Sequence, residues 1–579
     1  MELRDHLIGV QSSVSVKYFD TALPLPRTTP FGIFVDQAGY YPNSTKTAVM
    51  PFECDSFEVT DINGNVRYSG RTVSRGYDEE SGDNVWTADF SGLTEDGNYC
   101  VRAGGKASTM FRIGSDVYDD VFTKASKAFY YLRCGCGLDE RYASVWSHGK
   151  CHTAPARLWE NRNVTLDVTG GWHDAGDYGR YVTAGACAAA HLLYAFKLFP
   201  KAFEKQKLNI PDKGMPDILS EARYELEWLL KMQDGGGGVY HKATTAMHAP
   251  FVMPEDDNAE MFVFPVSSMA TADLAAVCAL AAGVYKAYDE AFAEKLLRAA
   301  ERSVEWLDRN SRFIGFTNPE GCNTGGYGER DDHSNRFWAY SEMYAFTGYP
   351  KYHDKMVSAL NEDFPLTAFG YSEVGGFGAL AYLLCGQDKD AQLENKLKSG
   401  FRIRAEELKR IADKSGYGVA MRAEDYCWGS NMGLMTKAML FAVNDVLFGD
   451  SSCFEYAARH LHYLLGENAL GISYVTGVGE FRCNYPHLRP TFADGIEECI
   501  PGMVAGGPNR HLSDPFARNA VPEDTPPMKC YADDTASYSL NEITIYWNSP
   551  AVFVLAYMCT SRVPFGNKPN FNTGGTHYE

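Results

Sequence analysis

The chain of 579 residues carries 74 acidic against 54 basic side chains, a net charge of −20. That balance argues against a nucleic-acid partner, because phosphate binding needs clustered Lys and Arg. A composition of 45% hydrophobic and 22% charged residues is that of a soluble globular protein, with no run of about 18 apolar residues to offer a membrane span.

The length exceeds one ordinary compact core, so a small domain joined to a large one is expected. The first residues, MELRDHLIGVQSS, alternate charged and apolar side chains and lack the roughly seven or more apolar residues of a secretory core. Residues 1–27 read as an N-terminal extension. The 15 cysteines, an odd number scattered along a long chain, suit reduced thiols better than a disulfide framework, so a cytoplasmic protein is expected.

From 28 to 115 the sequence reads as strands. Phe31–Val35, Lys46–Met50, Ser56–Thr60 and Tyr99–Arg102 are short and rich in β-branched or aromatic residues, with turn signals such as Asn63-Gly64 and Asp96-Gly97 between them. The size and spacing predict a small immunoglobulin-like β-sandwich. After Asp116 apolar residues recur at helical spacing. Helices are predicted over 118–132, 183–199, 217–233, 267–285, 289–310, 336–347, 393–415, 431–448, 454–468 and 544–559. Long loops at 234–263 and 471–542 are expected to build a site on this helical scaffold.

Three segments carry the chemistry. GGWHDAGDYGRYV (170–182) places Asp174 and Asp177 three residues apart. On those residues alone, a polar turn capping a helix and a pair of acids aimed at one water are both open. SYVTGVGEFRCNYPHLRP (473–490) contributes His487 and Arg489. YADDTASYSLNEITIYWNSP (531–550) sets Glu542 where a polar loop meets an apolar helix, which the helix dipole alone would also favour. Separately, Cys134, Cys151, His152 and His173 supply two thiolates and two imidazoles, a set suited to tetrahedral zinc although the spacing is not that of a zinc finger. Cys136 is the rival for the first ligand.

These segments, with FVDQAGYYPN, LRCG, SHGKCH, FVMPEDD, PVSSMATADLAAV, WGSN and LLGENALGISYVTGVG, resemble glycoside hydrolase family 9, in the branch with an immunoglobulin-like domain before the catalytic domain. The resemblance covers nearly the whole chain. It implies a mainly α fold, an (α/α)6 barrel of twelve helices over 116–565 followed by a tail at 566–579. It also implies inverting hydrolysis of β-1,4-glucosidic bonds, in which one carboxylic acid protonates the leaving oxygen while a carboxylate on the opposite face activates water. Carried over residue by residue, Asp177 is the base, Asp174 helps to hold the water, and Glu542 is the acid. His487, Arg489, Tyr538 and Asp533 become substrate-binding residues, with Trp428 a stacking candidate. Trp547 and Tyr538, or a carboxylate at Asp533, could keep Glu542 protonated near neutrality.

The resemblance supports a structural zinc on Cys134, Cys151, His152 and His173, and it requires no organic cofactor. Two departures stand out. Leu488 replaces a histidine common in the family. A calcium pattern before the helix near Arg336 is altered by Glu329 and by Ser334-Asn335, leaving Asp331 and Asp332 as substitutes or as a solvated acidic turn. The expected substrate is a short imported cellodextrin or soluble β-glucan. An exo-β-glucosaminidase on chito-oligosaccharides and a non-catalytic carbohydrate-binding protein are the alternatives.

Overall fold

The computed structural model describes residues 32–211 and 213–560. The extension at 1–27, the opening residues of the β-domain and the tail at 566–579 lie outside the described residues. The described chain forms two compact units: one runs to Ala128 and resumes at Ala405, the other runs from Phe129 to Arg404. The β-rich segment therefore shares a compact unit with C-terminal helices.

Seven strands build the β-domain: β1 (Thr47–Met50), β2 (Ser56–Asp61), β3 (Val66–Asp78), β4 (Asp83–Asp89), β5 (Gly97–Ala103), β6 (Lys106–Ala107) and β7 (Phe111–Ile113). Three predicted strands recur as β1, β2 and β5, whereas Phe31–Val35 contributes only an isolated bridge from Phe34 to Val49. The long strand β3 pairs with β2 through its first half and with β4 through its second. It thereby joins two antiparallel layers around a core that includes Val59, Phe90, Val101, Phe111 and Ile113. Sequence patterning misses β3 because most of its residues face solvent.

The FVDQAGYYPN motif ties this domain to a helix of the same unit. Asp36 Oδ2 lies 2.7 Å from His462 Nδ1 and accepts from the Tyr118 hydroxyl at 3.1 Å. The Tyr40 hydroxyl donates to Glu467 at 3.1 Å. Gly39, at φ +119°, is required because a Cβ there would lie 2.1 Å from the carbonyl oxygen of Arg112.

Among the described residues twelve helices have ten or more residues: α1 (Asp119–Tyr131), α2 (Val182–Leu198), α3 (Asp217–Lys231), α4 (Ser268–Tyr285), α5 (Glu290–Arg309), α6 (His333–Thr347), α7 (Pro350–Ala359), α8 (Gly375–Leu384), α9 (Ala391–Lys414), α10 (Ser430–Phe448), α11 (Phe454–Leu464) and α12 (Ile545–Thr560). Ten follow the apolar periodicity. The other two, α7 and α8, were not predicted: α7 is short, and α8 begins Gly-Gly and is apolar on every side. In the unit from 129 to 404, helices buried nearly all round (α2, α4, α8) alternate with amphipathic ones (α3, α5). Helix α4 packs against α2, α5 and α6, and α6 against α8. By length and hydropathy α4 would suit a membrane span, but 89% of it is buried inside the protein. The interrupted apolar run that carries Asp273 is a core helix.

The two long loops are partly ordered into regular structure. Residues 234–263 include the strands Lys242–Thr245 and Met261–Val263, paired with each other and continuing into Arg180–Tyr181. Residues 471–542 include the short helices Arg489–Ala493, Pro515–Ala520 and Tyr538–Asn541.

Candidate active site

The sequence-predicted residues fall in two groups, one in each unit. The first surrounds the 170–182 segment. Its backbone is paired to the chain just after α1: Cys134 N–H donates to Gly171 O and His173 N–H to Leu132 O, both at 2.7 Å. Helix α3 holds the segment with two carboxylates. Glu221 accepts from Arg133 Nε at 3.0 Å and from Trp172 Nε1 at 2.9 Å, and Glu225 accepts the Trp172 backbone N–H at 2.7 Å. Full burial pushes the Glu225 carboxyl up to about 8, against the lowering effect of that N–H and of Arg180.

Asp174 and Asp177 are both buried. Asp174 accepts a hydrogen bond at Oδ2 from the Tyr327 hydroxyl. Asp177 Oδ2 accepts from Gly179 N–H at 3.2 Å and from the Tyr181 hydroxyl at 3.4 Å, and it faces His248 Nδ1 at 3.3 Å. Gly179 is dictated by close approach, since a Cβ there would lie 2.6 Å from Tyr181 Oη and 2.8 Å from Asp177 Oδ2. Of the two readings open in the sequence, a simple helix cap is excluded: α2 begins only at Val182, and no side chain caps it. Tyr327, Tyr181 and His248 were not singled out from sequence. The signal for Tyr327 was its place in the glycine-rich run NTGGYGER, whereas His248 carried none.

Beside this turn the four proposed metal ligands converge. One donor atom from each of Cys134, Cys151, His152 and His173 lies within 4.8 Å of all the others. His152 Nδ1 and His173 Nε2 are buried without a hydrogen-bond partner, while His152 Nε2 is held 3.2 Å from Asp257 Oδ2. Orphaned imidazole nitrogens beside two thiols fit a metal ion, and the carboxylate behind one imidazole is the usual outer support of a metal-binding histidine. Cys136 does not belong to the quartet.

The acidic residues of the altered calcium pattern have partners of their own. Asp331 is exposed and caps His333 N–H at 3.1 Å, and Asp332 pairs with Arg336 at 2.9 Å. Glu329 lies with Asp273, bridged by Asn335 Nδ2 at 3.5 and 2.9 Å, and burial holds both carboxyls above their usual range. Among the described residues, only the Cys/His quartet gathers three or more His, Cys, Asp or Glu donors.

The second group lies in the other unit. Glu542 follows the short helix Tyr538–Asn541 in extended conformation, at φ −65° and ψ 156°. Its backbone is bridged to His487 and donates support to a neighbouring segment, with Gly506 N–H bonding Glu542 O at 2.8 Å. His487 Nδ1 lies 2.6 Å from Thr535 O and its ring meets Tyr538 edge-on at 6.0 Å; Tyr538 in turn packs on Trp428 at 5.3 Å. Trp428 is 45% exposed, Arg489 is buried, and Leu488 is buried in the place of the family histidine. Trp547 lies against Gly429 and Gly506, so the Glu542 segment has an aromatic wall. Asp533 has its oxygens occupied by the N–H groups of Asn484 and Tyr485, at 2.8 and 3.0 Å, and by Asn541 Nδ2 at 2.9 Å. These bonds brace the loop that carries His487.

Comparison with known proteins places this chain. The Glycosyl hydrolase family 9 profile matches residues 118–555 and the Cellulase N-terminal ig-like domain profile matches residues 29–108. A cellodextrinase of Butyrivibrio fibrisolvens is 44% identical over 544 residues, covering 90% of this chain and 99% of the relative. The solved structure of AaCel9A in complex with cellobiose-like isofagomine is 36% identical at a TM-score of 0.87, covering 91% of this chain and 99% of its own. A Zn-binding triple mutant of the family 9 endoglucanase J30 is 34% identical at a TM-score of 0.85, covering 89% and 99%. The chain belongs to glycosyl hydrolase family 9: it is a glycoside hydrolase with a helical catalytic domain behind an immunoglobulin-like β-sandwich.

Proposed function

We propose that this family 9 hydrolase cleaves β-1,4-glucosidic bonds of cellodextrins or soluble β-glucans with inversion at the anomeric carbon. The observation that carries the reading is the 174–177 turn, where two buried carboxylates are each oriented by a tyrosine hydroxyl. Such a pair can accept both hydrogens of one water and fix its line of attack. Asp177 takes the proton as the water oxygen bonds to the anomeric carbon, and Asp174 holds the second hydrogen. Glu542 gives its proton to the departing glycosidic oxygen. His487, Arg489, Tyr538 and Asp533 are assigned to substrate binding and Trp428 to stacking, with Asp533 also bracing the loop that carries His487.

Substrate class follows the relatives, whose names specify cellodextrins and a cellobiose-like ligand. Fifteen thiols without a disulfide support a reducing compartment, where short imported oligosaccharides would be the substrate. The Cys134, Cys151, His152 and His173 quartet would hold zinc. When bound, that ion serves as a structural cross-link, pinning the residue next to Asp174.

Glu542→Gln tests the assignment on cellotetraose and on chito-oligosaccharides. Turnover of cellotetraose should vanish while binding persists, and proton NMR of wild-type product should show the α-anomer first. Hydrolysis by E542Q at the wild-type rate, or early β-anomer, would refute it.

A further inference from the structure

We infer that Lys242 and Cys322 form a peroxide-responsive modification site, in which an S–N bond between them unseats the loop that orients Asp174. The two groups are already in contact: Lys242 Nζ lies 3.6 Å from Cys322 Sγ. The amine is fully buried and donates to Asn318 Oδ1 at 2.7 Å, Thr324 Oγ1 at 2.9 Å and Gly325 O at 2.7 Å. The rings of Phe264, Phe316 and Tyr181 lie 4.5, 5.4 and 5.6 Å away. Burial among these groups lowers the ammonium to about 8, against the opposing charge of Cys322, so neutral amine is present in mild alkali. Cys322 is only half-buried and can be reached by a small oxidant, and Thr324 Oγ1 lies 3.3 Å from its sulfur.

The chemistry balances with hydrogen peroxide as the oxidant. The thiolate sulfur gives two electrons to the O–O bond, forming a sulfenic acid and releasing hydroxide, which takes up the proton the thiol gave up and leaves as water. The neutral Lys242 amine then attacks that sulfur. An S–N bond forms, the sulfenic hydroxyl leaves, and it departs as a second water with the proton from nitrogen. The thiol and the amine have each lost one hydrogen, and a thiol reductant reverses the step by attacking the same sulfur.

The consequence for activity rests on the catalytic reading above. Lys242 presently holds residues 318–325 with an ammonium's three donors, whereas the S–N product keeps one N–H. Two residues beyond Gly325, Tyr327 delivers its hydroxyl to Asp174.

The test exposes the full chain to hydrogen peroxide at pH 8, with mass-spectrometric peptide mapping before and after thiol reductant. A peptide pair linking 242 to 322, lighter by two hydrogens, should appear together with a several-fold loss of kcat on cellotetraose, and both should reverse. Cys322→Ser should keep basal activity and show neither change. Recovery of Cys322 as sulfinic acid, or unmodified, with Lys242 free would overturn the site. A cross-link without loss of kcat would overturn its coupling to Asp174. The mass readout is independent of Glu542, so failure of the hydrolytic assignment would leave it standing.

Discussion

Tyr327→Phe isolates one hydrogen bond at the Asp174–Asp177 turn. The residue sits at φ +47°, a left-handed backbone that costs a non-glycine residue about 1–2 kcal/mol. The loop bears that strain while the hydroxyl reaches Asp174 Oδ2. The ring is held independently, with Tyr181 at 4.4 Å and Tyr371 edge-on at 5.1 Å, so phenylalanine should keep the packing. What is lost is a buried hydrogen bond to a charged group, worth about 1.5–3 kcal/mol. If that energy serves to orient the attacking water, it appears in the chemical step. At about 1.4 kcal/mol per factor of ten, kcat should fall roughly 10- to 150-fold. The assay is initial rates on cellotetraose over a range of concentrations, with thermal unfolding as a control for folding. A kcat within threefold of wild type at unchanged Tm, or an effect confined to KM, would refute the argument that Tyr327 acts through Asp174.

Gly179→Ala should lower kcat at least 100-fold, because its Cβ cannot lie 2.8 Å from Asp177 Oδ2 without displacing that carboxylate; circular dichroism should show the fold retained. Elemental analysis should find about one zinc per chain in the wild type and none in Cys151→Ser, whose Tm should be lower; prolonged chelation of the wild type should lower Tm likewise, and one equivalent of zinc should restore only the chelated wild type. Burial pushes the Glu342 carboxyl up to about 7, although Tyr194 and Trp338 donate to it. A raised folded-state pKa gives stability that is full below the ordinary value near 4.5 and is lost as pH rises through about 7. Glu342→Gln should thus match wild type at pH 4 and exceed it by up to about 3 kcal/mol at pH 8, as read by denaturant unfolding.

The legible part of this molecule was what periodicity and local chemistry encode. Most of the ten predicted helices could be read because a buried stripe recurs every three or four residues, the all-apolar α2, α4 and α12 because their runs of 17, 18 and 16 residues are too long for strands, and the short strands because they alternate between turn signals. Helix α8 escaped because an apolar run of only 10 residues beginning Gly-Gly has neither a polar face nor the length to tell helix from strand. Strand β3 escaped for the opposite reason, having little buried face at all. The candidate catalytic carboxylates and the Cys/His cluster were singled out because several distant motifs matched one family together. Tyr327 and His248 were beyond reach, since a tyrosine in a glycine-rich loop and a lone histidine before Ala-Pro acquire meaning only when tertiary structure brings them to Asp174 and Asp177.

The turn around Asp174 is over-determined, and that bears on catalysis. Backbone pairing to residues 132–134, the carboxylates of Glu221 and Glu225 and the Tyr327 hydroxyl all fix one short segment. A water-orienting group gains most when its position is set during folding, because no reorganisation is then required as charge develops in the transition state. Asp177 is placed differently, with close approach by Gly179 on one side and the 41% exposed His248 side chain on the other. A rigid holder beside a more open acceptor is the asymmetry expected when one carboxylate must stay fixed and the other must take a proton and pass it on to solvent.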